Sequence, residues 1–345
     1  MLQRNIVSVG ELTSKQLVCL TAVSNVVGWC EYVYTSLVKG NKECVPFRQW
    51  IKVASRYYID VLNEAPLQGT LSPPDDLAQK EIYQDLVAQT SIKLLVKEEE
   101  VRNVFAIGRL RRYPILGIGA ILDRIPPSIA DKLIAGWGKK EFISLSLRYH
   151  VPLLTEGLFL SMPREMYKML IESSELPFVE GYGSPLNNNS QGEFREYCSL
   201  FSQDSKYGAL QRFDELVPRL NFPVRLCINP PYTPRAIERC VEITLSYMER
   251  VRGEFIMLLP VLHGYDLTAP IREYRNTCYC LLKEGDYTLY SFFTGRSICS
   301  PMSLYLIVNV RNSKQKSEAL LASARRLLYQ EAKKVESTHI TRRSL

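Results

Sequence analysis

The feature that most restricts the fold is a series of short apolar runs interrupted by a helical stretch in the C-terminal half. Residues 224–228 and 254–262 have strand length, and residues 234–250 between them repeat their apolar positions at helical spacing. A third short run, residues 176–179, precedes both. Apolar strands that alternate with helices are typical of a parallel sheet covered on both faces. We therefore predict an α/β fold here.

Further elements complete the predicted C-terminal domain, residues 175–336. Residues 277–282 and 287–292 predict a hairpin-like pair of strands, because a short polar turn separates them. Residues 303–310 predict another strand, and residues 317–334 an amphipathic helix. The basic stretch 337–345 is expected to be a disordered tail.

Residues 1–174 predict a separate all-helical domain. Apolar residues recur at helical spacing in 11–38, 47–62 and 76–95. Residues 131–137 and 161–173 indicate two further helices, and proline pairs at 73–74 and 126–127 mark breaks between elements. The chain is thus expected to combine a helical domain with an α/β domain.

Composition narrows the class of protein. The 345 residues carry 43 Lys and Arg against 36 Asp and Glu, a net charge of +7, which favours an anionic partner such as nucleic acid. Nine scattered cysteines, three histidines and no C-x-x-C motif argue against a structural zinc site and for reduced thiols. The longest clean apolar run, residues 255–262, is too short to span a bilayer, and no secretory signal is evident. We expect a protein of the nucleus or cytoplasm that is neither secreted nor in contact with a membrane.

A candidate cofactor turn follows the first predicted strand. Glu180, Gly181 and Gly183 form an acid-x-Gly-x-Gly pattern; two glycines allow close approach, and an acid suits ribose hydroxyls. An ordinary strand-end turn is the alternative. Asp204 and Asp214 could each end a strand with an acid facing the cofactor, or be loop aspartates.

Asn229, Pro230, Pro231 and Tyr232 form the most informative segment, directly after an apolar strand. The prolines end the strand, so that the carbonyl oxygens of this segment are not paired with a neighbouring strand. A ring-conjugated exocyclic amine is a weak nucleophile. The Asn229 side-chain oxygen and the Pro230 carbonyl can accept its two N–H groups and aim its lone pair at a methyl donor. Tyr232 offers a face for stacking the base. The sequence thus predicts a catalytic loop for an amino-methyltransferase.

Residues 178–310 resemble the phosphorylated-CTD-interacting-factor family, the cap-specific adenosine N6-methyltransferases. The motifs that carry the resemblance occur in one order along the chain. They are Gly183, Ser184, Pro185, Leu186 and Asn187, then residues 194–199, then Asp204, Tyr207, Gly208 and Asp214, and finally Asn229, Pro230, Pro231 and Tyr232. The family's loop usually ends in Phe where this chain has Tyr232, and residues 260–266 replace a Trp-Arg-Glu-like segment.

The resemblance implies a Rossmann-type methyltransferase domain that uses S-adenosyl-L-methionine. It implies transfer to N6 of the first transcribed adenosine, so that the partner is capped RNA beginning with adenosine. By position, Ser184, Pro185, Asn187 and Asp204 would touch the cofactor, and residues 229–232 would hold the adenine.

Three further residues are candidates for substrate binding, each with a structural alternative. Arg109 lies in a basic cluster that could bind cap or backbone phosphates, or could be a solvated helix face. Arg148 could border a nucleotide pocket, and His263 follows a predicted strand end. Other functions stay open: an amino-methyltransferase acting on another nucleic-acid adenine or a protein amide, or a catalytically silent RNA-binding subunit.

Overall fold

The computed structural model divides the chain into two compact units, Met1–Leu158 and Phe159–Leu345. It describes residues 11–39, 43–64, 73–74, 80–154, 160–186, 196–262, 266–291, 295–300, 302–311 and 313–343, without the side chains of 62–64, 331 and 333–343. The sequence placed the domain boundary between residues 174 and 175. The structure instead groups residues 159–174 with the second unit.

The first unit is helical over its described residues, as the sequence predicted. Its helices are α1 (Ser14–Val38), α2 (Phe47–Glu64), α3 (Lys80–Leu94), α4 (Glu98–Arg109), α5 (Ile118–Leu122), α6 (Pro127–Trp137) and α7 (Lys139–Tyr149), followed by a 3₁₀ turn, Pro152–Leu154. A capping box starts α1: the Gln16 N–H donates to the Thr13 hydroxyl, and the Thr13 N–H donates to the Gln16 side-chain oxygen. The Gln16 amide also donates to Lys140 O at 2.8 Å, which ties α1 to α7.

Helix α1 is apolar as well as long. Among the described residues it is the one helix whose length and hydropathy would allow it to cross a membrane. The sequence reading missed it, because small and polar residues interrupt its apolar positions. Its buried residues include Leu20, Trp29 and Val33, and the Trp29 ring packs edge-on against Phe105 with centroids 4.8 Å apart. These contacts are typical of a helix in a protein core. Such helices can have the same length and hydropathy as a helix that crosses a membrane.

The second unit contains a five-stranded sheet in the order β2-β3-β4-β8-β5. Its strands are β2 (Phe178–Glu180), β3 (Arg225–Ile228), β4 (Glu254–Pro260), β5 (Cys278–Leu282) and β8 (Leu304–Val310). Strands β2, β3 and β4 run parallel, β8 runs antiparallel to β4, and β5 runs antiparallel to β8. The sheet is therefore mixed, and the α/β class predicted for this region is confirmed at that level.

Two apolar cores cover the two faces of this sheet, and alternate residues of each strand enter different cores. Leu226 and Ile228 of β3 join one core, together with helix α10 (Pro234–Val251), whereas Cys227 joins the other. That other core includes helix α8 (Arg164–Glu172) and the C-terminal helix α12 (Lys314–Arg343). Successive residues of a strand point to opposite faces of the sheet, so this alternation between two cores is typical of a strand buried on both faces.

The predicted hairpin between residues 277–282 and 287–292 is wrong. Strand β5 pairs with β8 in the large sheet, whereas β6 (Thr288–Ser291) lies in a second sheet of order β1-β6-β7, between β1 (Leu160–Ser161) and β7 (Arg296–Cys299). The C-terminal end also differs from its prediction, because α12 continues through Arg343 where a disordered tail was expected from residue 337.

A buried ion pair joins the amino ends of β3 and β4. Arg225 and Glu254 are 1% and 3% exposed, with Arg225 Nε 2.6 Å from Glu254 Oε2. Arg225 Nη1 also donates to Leu170 O at 2.6 Å and to the Ser173 hydroxyl at 2.7 Å. This pair therefore fixes the end of α8 to the sheet, at the edge opposite to the strand ends discussed next.

Candidate functional site

The carboxyl ends of the parallel strands bring the main sequence-predicted residues to one edge of the sheet. β2 ends at Glu180, which lies in register with Cys227 of β3. Asn229 follows two residues beyond Cys227, about 7 Å further along the strand direction. Open α/β sheets bind ligands at this edge. The cofactor turn and the catalytic loop predicted from the sequence are thus neighbours.

Both ends of the Asn229 amide are held. Its Nδ2 donates to Leu160 O at 2.8 Å, and its Oδ1 accepts from the Tyr232 hydroxyl at 2.7 Å. The donor contact fixes which way the amide faces, and a carbonyl oxygen has a second lone pair for another donor. Asn229 is half-buried. Its amide is therefore held in one orientation while the side chain remains partly exposed.

The rest of the loop passes directly into helix α10. Pro231 O accepts from Thr233 N at 2.8 Å, and the Thr233 hydroxyl caps the helix by accepting from Ala236 N at 3.2 Å. Pro230 and Pro231 are buried. The ring of Tyr232 packs against the core that contains α8 and α12, and burial raises the pKa of its hydroxyl well above the ordinary value. Tyr232 thus stabilises Asn229 in this structure, and its ring is partly covered.

The turn after β2 is closed by backbone hydrogen bonds. Gly181 N donates to Cys227 O at 2.7 Å, and Gly183 N donates to Cys198 O at 2.8 Å. A Cβ on Gly183 would lie 2.8 Å from the Tyr197 ring, and one on Gly181 would lie 2.9 Å from another buried ring. The glycines are therefore needed for close packing of the turn itself.

Glu180 is buried at the end of β2 and is the acid nearest this turn. The Tyr167 hydroxyl donates to its Oε1 at 2.7 Å. Burial raises the pKa of the Glu180 carboxyl to about 7, and the Tyr167 hydrogen bond partly opposes that rise. The carboxyl can therefore be protonated or charged close to neutral pH.

The other two predicted acids do not end strands. Asp204 lies in a 3₁₀ helix, Ser202–Tyr207; its side chain is fully buried, and Oδ2 accepts from the Ser199 hydroxyl at 2.5 Å. Asp214 lies in the short helix α9 (Phe213–Leu216), and both of its oxygens accept from Arg212, at 2.9 and 2.8 Å. The prediction that either acid follows a strand is wrong, because local hydrogen bonds fold both segments into short helical turns.

The remaining candidates fall into three groups. Ser184 and Pro185 are buried just after the glycine turn. Asn187 and His263 lie outside the described residues. Arg109 ends α4 and Arg148 lies in the last turn of α7, so both belong to the helical unit.

A cavity of about 410 Å³ opens at the carboxyl end of β4. It is lined by residues 260–262, Asp266, Leu267, Thr268 and Tyr305. Beside it, the short helix α11 (Ala269–Arg272) ends at Arg272, whose guanidinium stacks over Tyr305 at 4.7 Å and pairs with Asp266. The cavity thus lies at the edge of the sheet that also carries Asn229, with Tyr305 as its aromatic lining residue.

Two residues that hold this site were missed by the sequence analysis. Leu160 contributes a backbone carbonyl, which no side-chain motif can reveal. Tyr167 lies on the buried face of α8, where an aromatic residue indicates core packing first.

No protein-family model matches the chain, and no curated protein matches it. Among solved structures, a chain from "Structure of the Pnkp1/Rnl/Hen1 RNA repair complex" is similar at 12% identity and a TM-score of 0.27. The match covers 75% of this chain and 61% of that one, so this chain spans less than two thirds of its length.

Proposed function

We propose that this protein is an S-adenosyl-L-methionine-dependent methyltransferase that acts on an exocyclic amine of a nucleobase. Its substrate is N6 of the first transcribed adenosine of capped RNA. The observation that carries the proposal is the geometry of Asn229: an amide fixed by Leu160 O and by Tyr232, at the carboxyl end of a parallel strand.

The chemistry requires an acceptor held in place before the substrate arrives. Methyl transfer to a ring-conjugated amine needs the nitrogen lone pair turned out of the ring and towards the methyl group. A fixed Oδ1 on Asn229 can accept one N–H of that amine, and the Pro230 carbonyl can accept the other. Because the Leu160 contact already orients the amide, little reorganisation is required when the base binds.

The cofactor is assigned to the neighbouring strand end. The close turn at Gly181 and Gly183 and the acid at Glu180 adjoin Asn229 at one sheet edge, as a Rossmann-type methyltransferase domain requires. Ser184 and Pro185 continue the turn, and the resemblance assigns them to the cofactor as well. S-adenosyl-L-methionine is the methyl donor in this proposal.

The choice of adenosine and of a cap comes from the ordered motifs between Gly183 and Tyr232. The net charge of +7 is in keeping with an RNA partner. The alternative methyl acceptors, an adenine elsewhere in nucleic acid or a protein amide, fit the same loop. The alternative of a catalytically silent RNA-binding subunit is less favoured. Packing of the loop alone would not require a hydrogen bond from Tyr232 to the Asn229 side chain.

Methyl transfer to defined RNAs tests the proposal. Capped and uncapped RNAs that begin with A or with G are incubated with the protein and labelled cofactor. The RNAs are then digested to nucleosides, which are identified by mass spectrometry. We expect N6-methyladenosine from capped RNA beginning with A and little from the other three. Equal transfer to uncapped or internal adenosine would refute the cap requirement, and no binding of cofactor in calorimetry would favour the silent alternative.

A pair of loop variants tests the role of the amide. Asn229→Ala removes the acceptor and should lower kcat about 10²- to 10³-fold with cofactor affinity nearly unchanged. Tyr232→Phe is the graded variant: it keeps the ring but removes the hydroxyl 2.7 Å from Oδ1, so that Leu160 O alone holds the amide and kcat should fall by less than in Asn229→Ala. Full turnover by Asn229→Ala would contradict the assignment.

A further inference from the structure

We propose that two copies of this chain associate through strand β5, edge to edge and antiparallel, around a two-fold axis at Cys280. This interface does not depend on the proposed function. β5 is an edge strand of the five-stranded sheet: β8 lies on one side of it, and no strand in the described part of the chain pairs with its other side. The backbone N–H and C=O groups on the open side of an edge strand can pair with a strand of another chain.

β5 lacks the features that usually protect an edge strand. Proteins discourage pairing with other chains by placing a charged residue, a proline or a bulge in such a strand. β5 reads Cys-Tyr-Cys-Leu-Leu, with no charged residue and no proline. Its five residues pair with β8 in continuous register, without a bulge. The strand is therefore open to pairing along its whole length.

One face of β5 is also partly uncovered. Tyr279 and Leu281 are 47% and 43% exposed, and Leu281 lies in register with Tyr305 of β8 on that face. The Tyr279 ring packs edge-on against the Tyr305 ring, with centroids 6.1 Å apart, and the Arg272 guanidinium lies 5.0 Å from its centre. These contacts hold the Tyr279 ring in place while nearly half of the residue remains exposed.

The side chains of β5 complement one another in one register. A two-fold axis perpendicular to the sheet keeps the same face of both copies on one side, so a residue lies opposite its own counterpart where the axis passes. With the axis at Cys280, Tyr279 lies opposite Leu281 of the second copy, and the reverse pair forms on the other side of the axis. Pairs of an aromatic and an aliphatic side chain stabilise neighbouring strands. Two such pairs would cover the exposed side chains of both copies.

The charges beside β5 favour the same register. The turn that follows the strand carries the exposed residues Lys283, Glu284 and Asp286, and the half-exposed Arg275 precedes the strand. If the spacing of the strand pair continues beyond its ends, Arg275 of each copy lies between Glu284 and Asp286 of the other. Opposite charges on neighbouring strands are favourable, so a net negative turn meets a cation at both ends of the interface.

Shifted registers are less favourable. Moving the axis to Tyr279 places Lys283 opposite Arg275, and like charges that lie directly opposite destabilise a strand pair. Moving the axis to Leu281 places Lys283 opposite Tyr279 and breaks both pairs of exposed side chains. A second copy of this chain, paired around Cys280, is therefore the occupant that the strand fits.

Sedimentation equilibrium of the full chain measures the association. We expect a dimer with a dissociation constant on the order of 10 µM, because a pair of five-residue strands is a small interface. Leu281→Lys should weaken association by about tenfold or more, because it puts a charge into the edge strand and removes both aromatic pairs. Phe222→Lys is the matched control: Phe222 is a 51% exposed apolar residue of the same unit, outside β5, and its replacement should leave the dissociation constant unchanged.

The register is tested by mixing two variants. Tyr279→Glu and Leu281→Lys should each weaken the dimer, whereas an equimolar mixture should associate about as tightly as wild type, because each new charge lies opposite the other across the axis. A reagent that bridges two closely spaced thiols should join Cys280 of one copy to Cys280 of the other, since the two Cα atoms would lie about 4.5–5.5 Å apart. Cys280→Ser should abolish this product.

Circular dichroism checks that each variant is folded, which the exposure of Tyr279 and Leu281 leads us to expect. Wild type that stays monomeric at about 100 µM would overturn the proposal. So would a dimer that Leu281→Lys does not weaken, because it would use another surface, and a mixture of the two variants that binds no better than either alone would refute the register. Methyl transfer is measured separately, so none of these results decides the proposed function.

Discussion

Replacing Arg225 with methionine should destabilise the second unit by about 3 kcal/mol. The change leaves the Glu254 carboxylate, 3% exposed, without its nearest cation, and removal of one partner of a buried pair costs about 3–5 kcal/mol. We expect the lower end of that range, because Ser174 still donates to Oε2 at 3.0 Å and Arg311 Nε stays 3.3 Å from Oε1. In a unit of this size the loss corresponds to a fall in Tm of about 6–12 °C.

The assay has to separate the two units. The three tryptophans, Trp29, Trp50 and Trp137, all lie in the helical unit, so their fluorescence during urea unfolding reports that unit and serves as the internal control. Hydrogen exchange of peptides from β3 and β4, followed by mass spectrometry, reports the second unit.

A second variant separates charge from packing. Arg225→Met combined with Glu254→Leu removes both charges and should recover much of the loss, because no uncompensated carboxylate remains. Recovery stays partial, since Leu170 O and Ser173 O lose the donors that Arg225 supplied. If the single variant exchanges as slowly as wild type, or if the double variant is less stable than the single one, the charge argument is refuted.

Three other changes have defined outcomes. Asn229→Asp places an oxygen against a backbone carbonyl of β1, so turnover should fall at least tenfold with the side-chain shape preserved; wild-type kinetics would contradict this. Gly183→Ala should cost about 1–3 kcal/mol in urea unfolding, because its Cβ would lie 2.8 Å from the Tyr197 ring, whereas Gly117→Ala meets nothing within 4 Å and should be neutral. Burial lowers the pKa of His150 to about 4, so the helical unit should lose up to about 3 kcal/mol as the pH falls from 6.5 to 4, and His150→Phe should abolish that dependence in fluorescence-detected unfolding.

The elements that surround the site were predictable because both local pattern and burial favour the same structure. β3 and β4 are continuous apolar runs, and the prolines after Ile228 end the strand where the sequence predicted. Helix α10 follows a Thr-Pro start signal, which the structure realises as the Thr233 cap and Pro234 in the first turn. Position along the chain therefore sufficed to place Asn229 at a strand end.

Pairing and side-chain partners were not predictable in the same way. β5 and β6 are separated by a short turn, so local pattern favours a hairpin, yet β5 pairs with β8, which follows later in the chain. The apolar pattern of a strand does not show which distant strand will pair with it in the sheet. Local spacing could have suggested only near partners, such as Arg212 for Asp214, two residues apart, and Tyr232 for Asn229, three residues apart.

The glycine turn after β2 also limits which nucleotides can occupy the site. Turns of this kind bind pyrophosphate when their backbone N–H groups point at the phosphates. Here Gly181 N and Gly183 N donate to Cys227 O and Cys198 O, so neither amide is left for an anion. A carboxyl at Glu180 would in addition repel one when ionised. The turn therefore offers neither of these two amides to a phosphate, as expected if the proposed cofactor is a nucleoside that carries no phosphate.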